Sequence, residues 1–99
     1  MLFLKLHVVV KGSDEKIVKE VQQHLLEIWP NFSFSPSREQ PSLNDCLEFY
    51  ATTRCSKEEA QRLYDLLNND WDGEPDDCIA YGFNTKMFDP NVYYLQMEY

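Results

Sequence analysis

Ninety-nine residues support one hydrophobic core, because two domains would each be left with about 50 residues, close to the lower limit for independent folding. Hydrophobic residues at 43%, aromatic residues at 14% and only three glycines exclude a disordered tail, a collagen-like repeat and a flexible linker. Seventeen acidic against nine basic residues give a net charge of −8, which argues against nucleic acid or an anionic membrane as partner, since phosphate contacts need clustered Lys and Arg.

The first strand is predicted over Leu2 to Val10, with Leu2, Leu4, Leu6, Val8 and Val10 on one face and Phe3, Lys5, His7 and Val9 on the other. Gly12, Ser13 and Asp14 break it and supply an N-cap. Ile17, Val18, Val21, Leu25 and Ile28 then follow the spacing of an amphipathic helix, which ends at Trp29-Pro30 because a residue before proline is pushed out of the α region. Phe32 and Phe34 alternate with serines in a short second strand, and a polar loop holding Pro36 and Pro41 leads to a third over Cys46 to Thr53.

Ser56 and Glu59 form a capping box ahead of the second helix, whose stripe is Ala60, Leu63, Tyr64 and Leu67 and whose end falls near Asn68 or Asn69. Cys78 to Phe83 and Val92 to Tyr99 read as a fourth and fifth strand, joined through Asp89-Pro90-Asn91 as a hairpin. The order β-α-β-β-α-β with one appended strand predicts a single α+β domain over 1–99, a ferredoxin-like two-layer sandwich. Right-handed crossovers give the sheet order 2-3-1-4-5, counting predicted strands along the chain, with both helices on one face.

The chemistry-bearing residues do not assemble into a known motif. His7 and His24 have no recognisable Ser or Cys partner and are expected to be structural. Cys55 precedes a helix N-cap but has no base beside it in sequence, and Cys46, Cys55 and Cys78 lack zinc-site spacing. An EF-hand reading that starts at Asp70 puts Pro75 where Gly is required and Tyr81 where a bidentate Glu is required. No catalytic residue, metal or cofactor is therefore expected. An acylphosphatase would have this length and element order, but Val10-Lys11-Gly12-Ser13-Asp14 lacks its glycine-rich phosphate loop and arginine. The start of the chain lacks signal-peptide features, no run approaches the ~20 apolar residues of a membrane span, and three widely spaced cysteines fit reduced thiols, so a cytoplasmic protein is expected.

Charge is distributed unevenly. Residues 1–62 hold nine acids and eight bases, whereas 63–99 hold eight acids and Lys86 alone, net −7. Such a field accelerates encounter with a basic partner. Asp70, Trp71, Asp72, Glu74, Asp76 and Asp77 are the candidate partner-binding segment, with Trp71 as anchor. Tyr93, Leu95, Met97 and Tyr99 form one row on the last strand, and as a sheet edge that row predicts a homodimer.

In size, charge and build the chain resembles the immunity proteins of bacterial polymorphic and contact-dependent toxin systems. The resemblance implies a non-enzymatic inhibitor that binds a cognate toxin domain, often a basic nuclease. Two other classes share parts of this profile: an acidic nucleic-acid mimic of the anti-restriction or anti-CRISPR type, and a small-molecule-binding regulatory module.

Overall fold

In the computed structural model, which describes every residue except Asn44, Asn84 and Thr85, the opening alternation becomes the strand β1 (Leu2–Lys11). Leu4, Leu6, Val8 and Val10 are buried on one side, while Phe3 is exposed and Lys5 and His7 are half-buried on the other. Asp14 caps α1 (Glu15–Ile28) by accepting from the Lys16 N–H at 2.9 Å, and Trp29 closes the helix as expected of a residue before proline. β2 (Ser33–Phe34) and β3 (Arg38–Glu39) are two-residue strands along the outer edge of β4 (Cys46–Cys55). Both halves of the Ser56–Glu59 capping box are made at the start of α2 (Lys57–Leu67). β5 (Asp72–Glu74), β6 (Asp77–Tyr81) and β7 (Val92–Glu98) complete the chain.

Among the described residues these elements form a seven-stranded, wholly antiparallel sheet in the order β2-β4-β1-β7-β6-β5, with β3 also on β4, and two helices. Val18, Val21 and Leu25 of α1 and Ala60, Leu63 and Leu67 of α2 join the even-numbered residues of β1, Phe49 and Ala51 of β4, and Leu95 and Met97 of β7 in one core. Both helices thus lie on one face of the sheet, the expected two-layer arrangement. The small α+β class stands.

The strand order differs from the sequence-based expectation. β7, not the strand beginning near Cys78, lies beside β1, in register from Lys5 opposite Glu98 to Val10 opposite Val92. After α2 the chain goes first to the outer edge and returns inward through two hairpins. The physical reason lies in composition: β7 is longer and contributes Val92, Leu95 and Met97 to the core, whereas β5 is acidic, exposed and three residues long, the kind of strand that tolerates an edge. The acidic stretch, for which the sequence predicts no strand, is therefore a β5–β6 hairpin. Gly73 is required there, since it has φ +115° and an added Cβ would come 2.3 Å from the Asp77 carbonyl oxygen.

Candidate functional site

Residues directly opposite in a ladder share a face, so the register defines the side of the sheet that the helices leave uncovered. One row across it runs Arg38, Glu48, Val9, Tyr94, Tyr81. The next is Tyr50, His7, Gln96, Ile79, Asp72, and a third is Thr52, Lys5, Glu98, Asp77, Glu74. Aromatic rings occupy the middle of this face and carboxylates its β5–β6 side.

Glu48 is the anomaly on that face, because its carboxylate is only 2% exposed although the hydrophobic core lies on the other side of the sheet. His7 Nε2 is 2.7 Å from its Oε1, Arg38 Nε donates to Oε2 at 2.6 Å, and Gln40 Nε2 donates to Oε1 at 3.1 Å. Burial pushes this carboxyl towards protonation, but the hydrogen bonds from His7 and Arg38 and their charges outweigh it and hold the group below its usual range. An ionised Glu48 accepts, so His7 Nε2 carries a proton, and the ring is fixed from below.

From His7 a chain of rings crosses the sheet. Its imidazole stacks on Tyr50 at 4.8 Å between centroids and meets Tyr94 edge-on at 5.8 Å. Tyr94 touches Tyr81 at 5.1 Å, and Tyr81 touches Phe83 at 5.4 Å. A β-bulge between the pairs Val9–Tyr94 and Val10–Val92 inserts Tyr93 as an extra residue, so Val92 points into the core while Tyr94 stays on the open face. Tyr93 itself packs against Tyr81 and Phe83. At the acidic side Lys5 Nζ is 3.0 Å from Glu98 and lies over the Tyr50 ring, and the hydrogen bond to Glu98 raises its pKa.

The residues singled out in the sequence fall into two groups. Asp70, Asp72, Glu74, Asp76 and Asp77 are exposed on or beside the β5–β6 hairpin, and among the described residues none of them forms an ion pair. Trp71 is different. It is half-buried against the core, its indole N–H donates to the Tyr64 carbonyl at 2.6 Å, and its ring stacks on Tyr64 at 5.5 Å. The Tyr64 hydroxyl in turn donates to the Gly73 carbonyl, so the pair fastens the hairpin to α2. Trp71→Ala is accordingly expected to cost about 2 kcal/mol of stability, less than a fully buried ring would, and to lower the urea midpoint of the free protein. An unchanged midpoint would return Trp71 to the role of exposed anchor.

The row proposed for self-association needs correction. β7 is paired on both sides, by β1 and β6, so it offers no free edge. Leu95 and Met97 are fully buried beneath the helices, Tyr99 packs partly against the same core, and the bulge turns Tyr93 out of the row. The homodimer expectation thereby loses its edge strand.

Other reactive side chains are tied into the fold. Asp89, 1% exposed, bonds His24 Nδ1 with one oxygen and accepts from the Asn91 N–H at 2.7 Å with the other, linking α1 to the turn ahead of β7. Burial pushes the Cys55 thiol up and that of Cys78 up to about 12, so neither is a thiolate at neutral pH. Among the described residues no group of three His, Cys, Asp or Glu side chains is placed to hold a metal, and no helix is long and apolar enough to cross a membrane.

The Glu48 network was not found from the sequence. Its members are far apart in the chain and meet only through the β1–β4 register and the short β3 pairing. The available signal was the alternation that puts His7 and Glu48 on the polar rows of two strands.

Comparison with known proteins yields no match: no protein-family model, no curated protein and no solved structure is significantly similar to the chain.

Proposed function

We propose that the protein acts by binding a basic protein, as a stoichiometric inhibitor of the immunity type directed at a cognate toxin domain, without turning over a substrate. The observation that carries this reading is the β5–β6 hairpin, where Asp72, Glu74, Asp76 and Asp77 are exposed with no internal cation paired to them among the described residues. Carboxylates left unneutralised on one edge of a sheet generate a local field that steers and orients a positively charged partner. The reading includes the finer architecture of a split βαβ, ferredoxin-like frame with the hairpin inserted ahead of the last strand. It also sets the protein in the cytoplasm, where free thiols such as Cys46, Cys55 and Cys78 stay reduced.

The test is association with the product of the adjacent gene, measured by surface-immobilised binding at low and raised salt. Reversing Asp72, Glu74, Asp76 and Asp77 to lysine is expected to slow association roughly tenfold or more and to flatten its salt dependence. A folded variant that associates at the parent rate at both salt concentrations would reject the hairpin as the steering surface.

A further inference from the structure

We infer that the partner docks across the open face of the sheet, with the aromatic chain as its seat and the acidic hairpin as its rim. The segment it presents combines arginine or lysine with an apolar or aromatic side chain. This inference rests on the binding function proposed above and specifies where the contact is made and with what chemistry.

Neither helix covers this face, and although Val9 and Glu48 on it are buried and His7, Tyr50 and Tyr94 half-buried, two rings at its outer end are exposed: Tyr81 is 38% and Phe83 66% accessible. Aromatic side chains supply large contact area with few torsions to freeze, which is why they serve as interface anchors. The chain Tyr50–His7–Tyr94–Tyr81–Phe83 is continuous, and its inner end is anchored by the buried Glu48 carboxylate. A buried charge is a poor means of stabilising a fold, because desolvation offsets most of its attraction to its partners. What Glu48 does provide is a fixed orientation for His7 and Arg38, and a seat already ordered before binding loses less entropy on contact. Charge decides the occupant. Asp72, Glu74 and Asp77 share this face with the rings and have no ion pair among the described residues, whereas Glu98 is already paired with Lys5, so an arginine or lysine flanking a seated apolar side chain would find unneutralised carboxylates, while the phosphates of a stacked single-stranded nucleic acid would be repelled.

The experiment is an NMR titration of the full chain with three probes: a peptide of six arginines interspersed with two tryptophans, the same peptide with glutamate in place of arginine, and decathymidine. The arginine peptide should shift the ring signals of His7, Tyr50, Tyr81 and Tyr94 in a saturable manner, and the other two should not. The double variant Tyr81→Ala/Phe83→Ala, which alters two exposed rings, should weaken the arginine peptide by about tenfold or more. Shifts confined to residues 70–77, with the sheet face silent, would overturn the inference while leaving the binding function standing. Absence of saturable binding by the arginine peptide anywhere would overturn both. Tighter binding of decathymidine than of the arginine peptide would overturn the stated occupant. The map on the parent protein decides these outcomes even if the double variant does not fold.

Discussion

Leu95→Ala is expected to lower the unfolding free energy by about 3 kcal/mol, within the usual range for truncating a buried leucine. Leu95 is fully buried, lies between Val8 of β1 and Ala80 of β6, and faces the helices. Removing its three outer carbons leaves a cavity that seven paired strands cannot close. Small domains have total stabilities of roughly 5–15 kcal/mol, so the loss would appear as a large drop in the urea midpoint. On an exposed sheet edge the same substitution would change stability by no more than about 0.5 kcal/mol. A midpoint within error of the parent would therefore contradict the interior position of β7.

The second large effect is expected at Glu48. Replacing it with alanine removes the acceptor shared by His7, Arg38 and Gln40 and should destabilise the protein by about 2 kcal/mol at neutral pH. The effect also has a defined pH dependence. Because the folded-state pKa is lowered, protonation favours the unfolded chain; the contribution is complete above the ordinary glutamate value of 4.5 and is lost as pH falls through the folded value. The parent should thus lose stability on acidification more steeply than Glu48→Gln. Glu59 is also lowered, by its hydrogen bond from the Ser56 backbone, but it is common to both proteins and cancels in the difference. Urea unfolding of the pair at neutral pH and at about pH 3 is the measurement. Parallel pH profiles would show that Glu48 is not held ionised.

The sequence was most informative where a local interaction determines local structure. β1 and β4 are legible because alternation over many residues fits one buried face and little else. The starts of both helices and the end of α1 are legible because Asp14, Ser56, Glu59 and the Trp29-Pro30 step act within a few residues of themselves. β3 and β5 are not. Two or three residues carry no periodicity, and Asp72-Gly73-Glu74 has poor strand propensity; this segment is extended because β6 supplies its hydrogen bonds. The sheet order is not legible for a related reason, since crossover rules constrain handedness but do not say which of two later strands takes the inner position. The acidic residues of the candidate surface were visible in composition alone. The Glu48 network and the ring chain depended on register, and the β-bulge at Tyr93 interrupts the simple alternation that would have ordered the last strand.

The β1–β7 ladder pairs Lys5 with Glu98, so the centre of the sheet is assembled from opposite ends of the chain. Bringing such distant segments together carries a loop-closure cost before any of the ladder's hydrogen bonds form, whereas β1 and β4 can meet earlier across a shorter loop. Folding should then be limited by capture of β7, placing the protein in the millisecond-to-second regime typical of sheets dominated by non-local pairing. Until that capture, the inner edge of β1 and the apolar row Val92, Leu95 and Met97 remain unsealed together, and chains in this state are the ones prone to pair with one another.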